Sequence, residues 1–461
     1  KNVLVGALEV TDGAIADFRE NGNDAFVTLG LTNSLKVADG GVVKVSNISA
    51  EDLVNRAKSG AAADRRMAVR IANLTGDAAI APDIDNAKVT MVNTFYDEAF
   101  DWKLFTQDGA DGSKDVYAGV TNIAVVAKTV TNGASPTNPD CWAGAVLPKK
   151  GDDFYCAYRF NPFEDWDFTQ SKLIFDDTSS HYWRGDATMD LNAKAYYVLG
   201  SCGFTMWGGS SYNRRWRGGP TKIADGATLS FLAMNNCPKL RIESEIVGNG
   251  NLSFTTYQGG ANHYRMTLEN INTNWHGRLT IRGFTNSTYT YNTILGDARN
   301  WGGAFLADED TYSAVTLASN TCVYVTNNVC FNDPTRGFLL REKPQFMVKE
   351  GFTLTLSNQV TYAGVVTKTD AGVLELGGTA RFVDGQAETA PVATSNELVV
   401  AEGALKVSSK EACDGLAVSF AEGTKLLIPA QSADGLYDVK WDAPLASSAT
   451  DGKVAVEIDT T

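Results

Sequence analysis

The chain has 461 residues, of which 54 are acidic and 40 are basic, so its formal net charge is −14 at pH 7. This acidic balance argues against nucleic acid or an anionic membrane as a partner, and no run of about 20 apolar residues predicts a membrane-spanning helix. The 43 glycines, with many Thr, Val, Asn and Asp residues, indicate a β-rich and turn-rich chain that forms either several domains or one elongated solenoid.

One short phrase returns six times along the chain: an alternating apolar run, an acidic residue followed by glycine, and a second alternating apolar run. Alternation with a period of two predicts a strand on each side with one buried face, and the glycine supplies the positive φ that the turn requires. The six turns are Asp12-Gly13, Asp39-Gly40, Asp225-Gly226, Glu350-Gly351, Glu402-Gly403 and Glu422-Gly423. Repetition of such a unit favours stacked coils over a globular sandwich.

The first segment, residues 1–100, carries two copies of this phrase and is predicted to form N-terminal solenoid rungs. The second copy is followed by the sequence SAEDLVNRAKSG. Ser49 can be the N-cap of a helix with Asp52 as its capping-box partner, and Gly60 can end this helix. We therefore expect one short helix near residues 50–58.

Residues 101–220 form an aromatic-rich β region that holds six of the nine tryptophans. If the segment around Trp166 is a strand, Asp165 and Asp167 project from the same face. Such a carboxylate pair could act as acid and base in a glycosidase. The alternative is a solvated edge or loop, so these two residues are the candidates for catalysis only under the enzyme hypothesis.

The stretch TMWGGSSYNRRWRGG, which begins at Thr205, has the composition of a site for an acidic glycan. Aromatic faces stack on sugar rings, and arginines form forked contacts with carboxylates or sulfates. The predicted ligand-binding residues are Trp207, Tyr212, Arg214, Arg215, Trp216 and Arg217. The alternative is that the aromatic residues form the core of an inserted subdomain, with arginine stacked on tryptophan.

Two pairs of cysteines, Cys141 with Cys156 and Cys322 with Cys330, are close enough in sequence to staple local loops in an oxidising compartment. The alternative is that most thiols are buried small apolar residues. The chain also begins without Met, and we expect a mature form whose export signal has been removed, although a fragment would look identical.

No resident metal or cofactor is predicted, because the chain has no CxxC motif and its three histidines are scattered. Calcium is the one cation that the acidic turns could recruit, through side-chain and carbonyl oxygens. The turns in question are at Asp152-Asp153 and Asp176-Asp177, and neither has the spacing of a known calcium loop. Polar turns without a ligand are the alternative.

Residues 221–461 return to strong alternation and are predicted to form a C-terminal solenoid. Within them, QVTYAGVVTKTDAGVLELGG from Gln359 resembles the passenger-associated repeats of bacterial autotransporters and related surface proteins, which have a Lys, a glycine-rich turn and Leu-x-Leu-x-Gly. The matching positions are Lys368, Gly372, Leu374, Leu376 and Gly378, with Asp370 at the first turn glycine, and then Leu398, Val400, Gly403, Leu405 and Val407 in the segment that follows.

This resemblance implies an all-β chain folded as a right-handed parallel β-helix, with the aromatic-rich region as an insertion or decoration. It also implies a secreted or cell-surface bacterial protein with a structural or adhesive role, whose partners are further copies of itself or other surface proteins, and which could assemble into filaments or matrix. Two alternatives stay open: a polysaccharide lyase or glycoside hydrolase, and a glycan-binding module without catalysis, each built on a β-helix.

Overall fold

The computed structural model divides the chain into two compact units, Lys1–Ser179 and Ser180–Thr461. The boundary falls within the aromatic-rich region, and the expected helix near 50–58 lies outside the described residues. The described residues are 2–17, 28–38, 41–45, 67–74, 79–80, 88–91, 98–108, 112–120, 123–126, 137–142, 145, 147–156, 159, 167–176, 180–184, 189–207, 213–234, 239–257, 265–283, 293–306, 313–382, 396–409, 411–429, 445–447 and 454–459. Strands and turns account for nearly all of them, which confirms the predicted all-β class.

Unit 1 combines parallel and antiparallel pairing. Its strands are β1 (Asn2–Val10), β2 (Ile15–Asp17), β3 (Thr28–Val37), β4 (Val42–Val45), β5 (Met67–Leu74), β6 (Ala79–Ile80), β7 (Lys88–Met91), β8 (Trp102–Asp108), β9 (Lys114–Val120), β10 (Ile123–Val125), β11 (Asp153–Cys156) and β12 (Lys172–Phe175), with a 3₁₀ turn at Pro139–Cys141. The order β1-β3-β5-β9-β8 is parallel as far as β5 and antiparallel from β5 onward. Two further parallel groups are β2-β4-β7 and β10-β11-β12.

The described residues of unit 2 form many short strands, and they include a 3₁₀ turn at Ala298–Trp301. The first strands are β13 (Ser180–Arg184), β14 (Met189–Ala193), β15 (Ala195–Val198), β16 (Cys202–Trp207), β17 (Asn213–Gly218), β18 (Thr221–Ile223), β19 (Thr228–Met234), β20 (Lys239–Ile242), β21 (Ile246–Gly248), β22 (Asn251–Tyr257), β23 (Arg265–Leu268), β24 (Leu279–Arg282), β25 (Thr293–Leu295) and β26 (Val315–Ala318). The remaining strands are β27 (Cys322–Val325), β28 (Val329–Phe331), β29 (Phe338–Glu342), β30 (Gln345–Val348), β31 (Thr353–Leu356), β32 (Val360–Thr369), β33 (Val373–Leu376), β34 (Ala380–Phe382), β35 (Glu397–Val400), β36 (Ala404–Val407), β37 (Ala417–Phe420), β38 (Lys425–Pro429), β39 (Leu445–Ser447) and β40 (Ala455–Asp459).

The strands of unit 2 pair in parallel, and successive strands belong to different ladders. The first ladder runs β13-β16-β19-β22-β24-β26-β29-β32-β34. The second runs β14-β17-β20-β23-β25-β27-β30-β32-β35-β37-β39. The third position is held by β15-β18-β21 and later by β28-β31-β33-β36-β38-β40. Each strand therefore pairs with the previous strand of its own ladder. One pass of the chain through the ladders is called a rung below.

In-register pairing stacks the inward side chains in columns. One column of the first ladder consists of Phe204, Phe231, Phe254, Ile281, Leu317, Leu340 and Tyr362. None of these side chains is more than 1% exposed. Burial of one such side chain stabilises the fold by about 1.5–3 kcal/mol, so each rung gains much of its stability from the rung beneath it.

The acidic-glycine turns are corners between ladders. The strands on either side of Glu402-Gly403 are β35 and β36, which pair with β37 and β38 of two separate ladders. The predicted positive φ is confirmed at Gly13, Gly226, Gly351, Gly403 and Gly423, with values of 72°, 75°, 81°, 73° and 81°, whereas Gly40 lies outside the described residues. Asp370, which replaces the first turn glycine of the repeat, also has a positive φ of 66°.

A buried asparagine links three successive rungs of unit 2. Asn272 is 1% exposed; its Oδ1 accepts from the Ile246 amide at 2.8 Å, and its Nδ2 donates to the Asn300 carbonyl at 2.7 Å. Backbone groups at these corners have no ladder partner, so the side-chain amide satisfies one donor below it and one acceptor above it.

We expect Asn272→Ala to lower the free energy of unfolding by about 2–4 kcal/mol, because it leaves a buried amide and a buried carbonyl without partners. Urea denaturation followed by circular dichroism measures this. Asn270→Ala is the matched control: the Asn270 side chain is exposed, donates to the Glu243 carbonyl at 3.3 Å and accepts from the Ile271 amide at 2.9 Å. Because water can replace these exposed contacts, its loss should stay below about 1 kcal/mol. Equal losses for the two variants would contradict the bridging role.

Candidate functional site

The arginine-rich strand β17 carries four of the six predicted ligand-binding residues. Its side chains alternate between the interior and the exterior, as the period of a strand requires. Arg214 and Trp216 point inward and are 1% and 0% exposed, whereas Arg215 and Arg217 are partly exposed. The structure therefore divides the predicted set into a buried pair and an outward pair.

Trp216 is part of the hydrophobic core of unit 2. Its Nε1 donates to Thr221 Oγ1 at 2.8 Å. Its aromatic neighbours include Tyr196, Phe204, Phe231 and Trp183, whose ring centroids lie 4.2, 5.2, 5.5 and 6.2 Å away. Because the indole is enclosed on all sides, this side chain has no face on which a sugar ring could stack.

Arg214 stacks on a tryptophan inside the same core. The guanidinium carbon lies 6.0 Å from the centroid of the Trp183 ring, and Trp183 itself is 0% exposed. This is the arrangement that the alternative interpretation of the sequence described, in which arginine pairs with tryptophan within an aromatic core. Arg214 cannot meet an external anion from this position.

The outward arginines belong to a network of ion pairs that spans four successive rungs, from β14 to the residue that follows β23. The contacts are Arg215 Nε and Nη2 to Glu243 at 2.7 Å each, Arg217 Nη2 to Asp190 at 3.0 Å, and Arg241 Nε and Nη2 to Glu269 at 2.5 and 2.7 Å. The Arg215 hydrogen bonds hold the pKa of Glu243 below its usual value, and the Glu269 hydrogen bonds raise the pKa of Arg241. The guanidinium forks of Arg215 and Arg241 already hold carboxylates, so a glycan carboxylate would have to displace them.

The other predicted site residues are Trp207, Tyr212 and Asp165. Trp207 is the last residue of β16, but its side chain, like Tyr212 and Asp165, lies outside the described residues. Their roles in ligand binding and catalysis stay predictions.

Asp167 is an exposed turn residue with its own partners. Its Oδ1 accepts from the amide and the hydroxyl of Thr169 at 3.1 and 2.6 Å, and its Oδ2 lies 2.8 Å from Lys150 Nζ. The hydrogen bond from Lys150, with those from Thr169, lowers the pKa of Asp167 far below the ordinary value. The carboxylate is therefore ionised at neutral pH and has no proton with which to act as a general acid.

Two buried cations were not singled out by the sequence as functional groups. Lys368 is 0% exposed, and its Nζ donates to the carbonyls of Thr369, Asp370 and Glu402; burial lowers its pKa to about 8. Because Lys368 lies two residues after the inward-facing Val366, the alternation itself could have shown that this lysine points inward. Its ammonium group links the corner at Asp370 to the corner at Glu402-Gly403.

Arg336 is the second buried cation, and it also donates to backbone carbonyls of neighbouring rungs. Its Nη1 donates to the Gly303 carbonyl and its Nη2 to the Gly277 carbonyl, both at 3.1 Å, and the guanidinium lies 5.1 Å from the Trp275 ring centroid. Burial lowers its pKa to about 10. No sequence signal indicated this residue, because its partners are backbone carbonyls that any residue provides.

The described residues contain no group of three or more His, Cys, Asp or Glu side chains suited to hold a metal ion. Of the acidic turns proposed for calcium, Asp152 accepts from the Lys149 amide at 2.7 Å and Asp176 accepts from the Tyr155 hydroxyl at 2.7 Å. These contacts fit polar turns, and a calcium site stays a prediction.

Cys141 and Cys330 are free thiols, so neither of the cysteine pairs suggested by sequence spacing is closed by a disulfide bond in the structure. Cys141 is buried and Cys330 is exposed. Among the described helices, none is long and apolar enough to span a membrane.

Comparisons with protein-family models, with curated proteins and with solved structures found no match to this chain.

We expect Trp216→Ala to lower the free energy of unfolding by about 3–5 kcal/mol, as for other large buried aromatic residues. Trp216→Phe keeps a ring in the core, and Thr221 Oγ1 retains its 2.8 Å contact with Ser244 Oγ, so its loss should be about 1–2 kcal/mol. Urea denaturation separates the two. A Trp216→Ala protein as stable as the wild type would contradict the role of the indole in the core.

The ion-pair network makes stability depend on pH. Because the pKa of Glu243 is lowered in the fold, its stabilising effect is present above the unfolded carboxyl value and is lost as the pH falls through the folded value. We expect Glu243→Gln to cost about 1–2 kcal/mol at pH 7 and progressively less below about pH 4.

The matched control for Glu243→Gln is Glu457→Gln. Glu457 Oε1 lies 2.7 Å from Lys425 Nζ, and both side chains are about half exposed, so this change should cost no more than about 0.5 kcal/mol. Urea denaturation at several pH values measures both variants. A loss at Glu243 that does not vary with pH would contradict the electrostatic explanation.

Proposed function

We propose that this chain is a secreted or cell-surface bacterial structural protein, a right-handed parallel β-helix that acts as a spacer, adhesin or matrix component. The observation that carries the proposal is the set of parallel ladders in unit 2, which successive strands visit in turn, with unbroken columns of buried side chains. A chain that coils in this way devotes its sequence to a repeated scaffold. The right hand is proposed because crossovers between parallel strands are right-handed in about 98% of cases.

The exterior of the described coil also supports a scaffold role. The charged side chains of the second ladder neutralise one another from rung to rung, through Asp190, Arg215, Glu243, Arg241 and Glu269. Networks of this kind fix the register of neighbouring strands. The most prominent aromatic and arginine residues of β17 serve the same purpose, since two of them fill the core and two join the network.

The location outside the cell rests on the resemblance of residues 359–407 to passenger-associated repeats and on the acidic composition. Four of the repeat positions have residue types that suit their surroundings. Lys368 binds corner carbonyls, Leu374 and Leu376 are buried, and Gly403 has the positive φ of the turn. A motif that encodes a rung supports an exported coil and specifies no ligand.

The test is the location of the native protein in its source cells. We expect antibody to detect it in the culture medium or on intact cells, and external protease to remove the cell-bound portion. Confinement to the cytoplasm of cells with intact membranes would overturn the proposal. Incubation of the purified protein with uronic-acid and sulfated polysaccharides should yield no new reducing ends or unsaturated products; their appearance would favour the enzyme alternative.

A further inference from the structure

The Asp-Gly turns have a chemistry that the Glu-Gly turns lack. Three of them lie in the described residues, at Asp12-Gly13, Asp225-Gly226 and Asp414-Gly415. An aspartate carboxyl group can close a five-membered ring with the amide nitrogen of the next residue, whereas a glutamate would have to close a less favourable six-membered ring. A following glycine favours this reaction, because it has no Cβ to shield its nitrogen. Each Asp-Gly turn is therefore a potential site of backbone rearrangement, and its surroundings determine whether the ring can form.

The turn at Asp225-Gly226 has room for this reaction. Both residues are exposed, and a Cβ added to Gly226, whose φ is 75°, would meet no described atom within 4 Å. Within the described part of the chain, no group accepts a hydrogen bond from the Gly226 amide; the turn is closed by the Ala227 amide, which donates to the Ala224 carbonyl at 3.0 Å. The Gly226 nitrogen can therefore approach the carboxyl carbon of Asp225 without breaking a hydrogen bond or displacing a neighbour.

The turn at Asp12-Gly13 in unit 1 has the same surroundings. Both residues are exposed, and a Cβ added to Gly13, whose φ is 72°, would also meet no described atom within 4 Å. This turn is closed by the Ala14 amide, which donates to the Thr11 carbonyl at 2.9 Å, and the Gly13 amide donates to none of the described groups. Ring closure is therefore open to Asp12 as well.

The turn at Asp414-Gly415 is more closely packed. Gly415 has a φ of 75°, but a Cβ added there would lie 3.1 Å from the ring of Phe382. Two residues of the turn, Cys413 and Leu416, are 1% and 0% exposed. Because ring closure moves the backbone of the turn, at this site it would disturb the core.

Asn249-Gly250 is a more reactive sequence than Asp-Gly, because asparagine closes the same ring by losing ammonia, faster than an ionised carboxylate loses water. Its glycine lies on the Asp225 corner of the preceding rung. The Gly250 amide donates to the Ile223 carbonyl at 3.2 Å, and a Cβ added to Gly250 would lie 2.3 Å from the Ala224 carbonyl oxygen. Gly250 is buried, although Asn249 is exposed. The attacking nitrogen is therefore held in a hydrogen bond and enclosed by backbone atoms, which opposes ring closure.

We propose that Asp12 and Asp225 are sites of spontaneous isomerisation to isoaspartate in the folded protein, and that the fold protects Asn249 from the equivalent deamidation. At Asp225, the Gly226 nitrogen loses its proton and bonds to the carbon of the neutral carboxyl group, whose hydroxyl takes up this proton and leaves as water. Water then adds to the main-chain carbonyl carbon of the cyclic imide, the bond from that carbon to the Gly226 nitrogen breaks, and the nitrogen regains a proton. The chain now runs through the former side chain, with one additional backbone carbon and a free α-carboxylate. No oxidant or cofactor is consumed, and the reaction does not depend on the proposed scaffold function.

Long incubation of the folded protein at physiological temperature, followed by proteolysis and peptide mapping, tests the two sites. Isoaspartate resists endoproteinase Asp-N and accepts a methyl group from an isoaspartate-specific carboxyl methyltransferase, so it is detected although the mass does not change. We expect it to accumulate at Asp12 and Asp225 at least about tenfold faster than at Asp414, where the packed turn must first open. Equal rates at the three sites, or no isoaspartate at Asp12 and Asp225, would overturn the proposal.

Incubation in urea tests the protection of Asn249. Unfolding releases the Gly250 amide from the Ile223 carbonyl, so Asn249 should deamidate at least about tenfold faster in urea than in the folded protein. Mass spectrometry of the peptide that contains Asn249 measures both rates. Deamidation at one rate in the folded and unfolded chain would contradict the protective role of the fold.

Asp225→Glu is the matched variant, because it keeps the negative charge and replaces the Asp-Gly turn with a Glu-Gly turn. The chain already has such turns, as at Glu402-Gly403, where the glycine φ is 73°. This variant should form no isoaspartate at residue 225, should keep the wild-type rate at Asp12, and should have an unchanged circular dichroism spectrum. A methyl-accepting signal that persists in the peptide containing residue 225 would show that the reaction occurs at another residue and would overturn the assignment to Asp225.

Discussion

Parallel pairing in register is the constraint on which the rest of unit 2 depends. Each inward residue lies directly on the equivalent residue of the previous rung, so side-chain size and polarity must match along every column. The column from Phe204 to Tyr362 meets this requirement with aromatic and branched aliphatic side chains that are almost completely buried. Because each rung contacts chiefly its neighbours, stability is approximately a sum of local interface terms.

The same constraint determines how polar groups enter the interior. The chain must turn between ladders, and the backbone at these corners has donors and acceptors that no strand satisfies. Asn272 joins such groups on successive rungs, while Lys368 and Arg336 bind corner carbonyls with a cationic head. Burial lowers the pKa values of both cations, which shows that desolvation outweighs the charged groups near them. These residues hold the rungs together where hydrophobic columns cannot.

The strand β17 shows that a structural strand can have the amino-acid composition of a binding site. Tryptophan and clustered arginine are the composition of a surface for acidic glycans, yet alternation places Arg214 and Trp216 in the core. The outward Arg215 meets Glu243, a residue 28 positions away. The composition of one strand therefore shows which functional groups are present. The neighbouring rung determines whether those groups are already paired.

The sequence by itself determined the all-β class, the corners and their glycine conformations, because alternation and backbone preference depend on adjacent residues. The positive φ of Gly403 and the buried position of Leu374 were readable in this way. Only the tertiary structure decided which strand lies on which, that Glu243 neutralises Arg215, and that the apolar Leu445 is half exposed. Those facts depend on the register between strands that are distant in sequence, and no local pattern encodes that register.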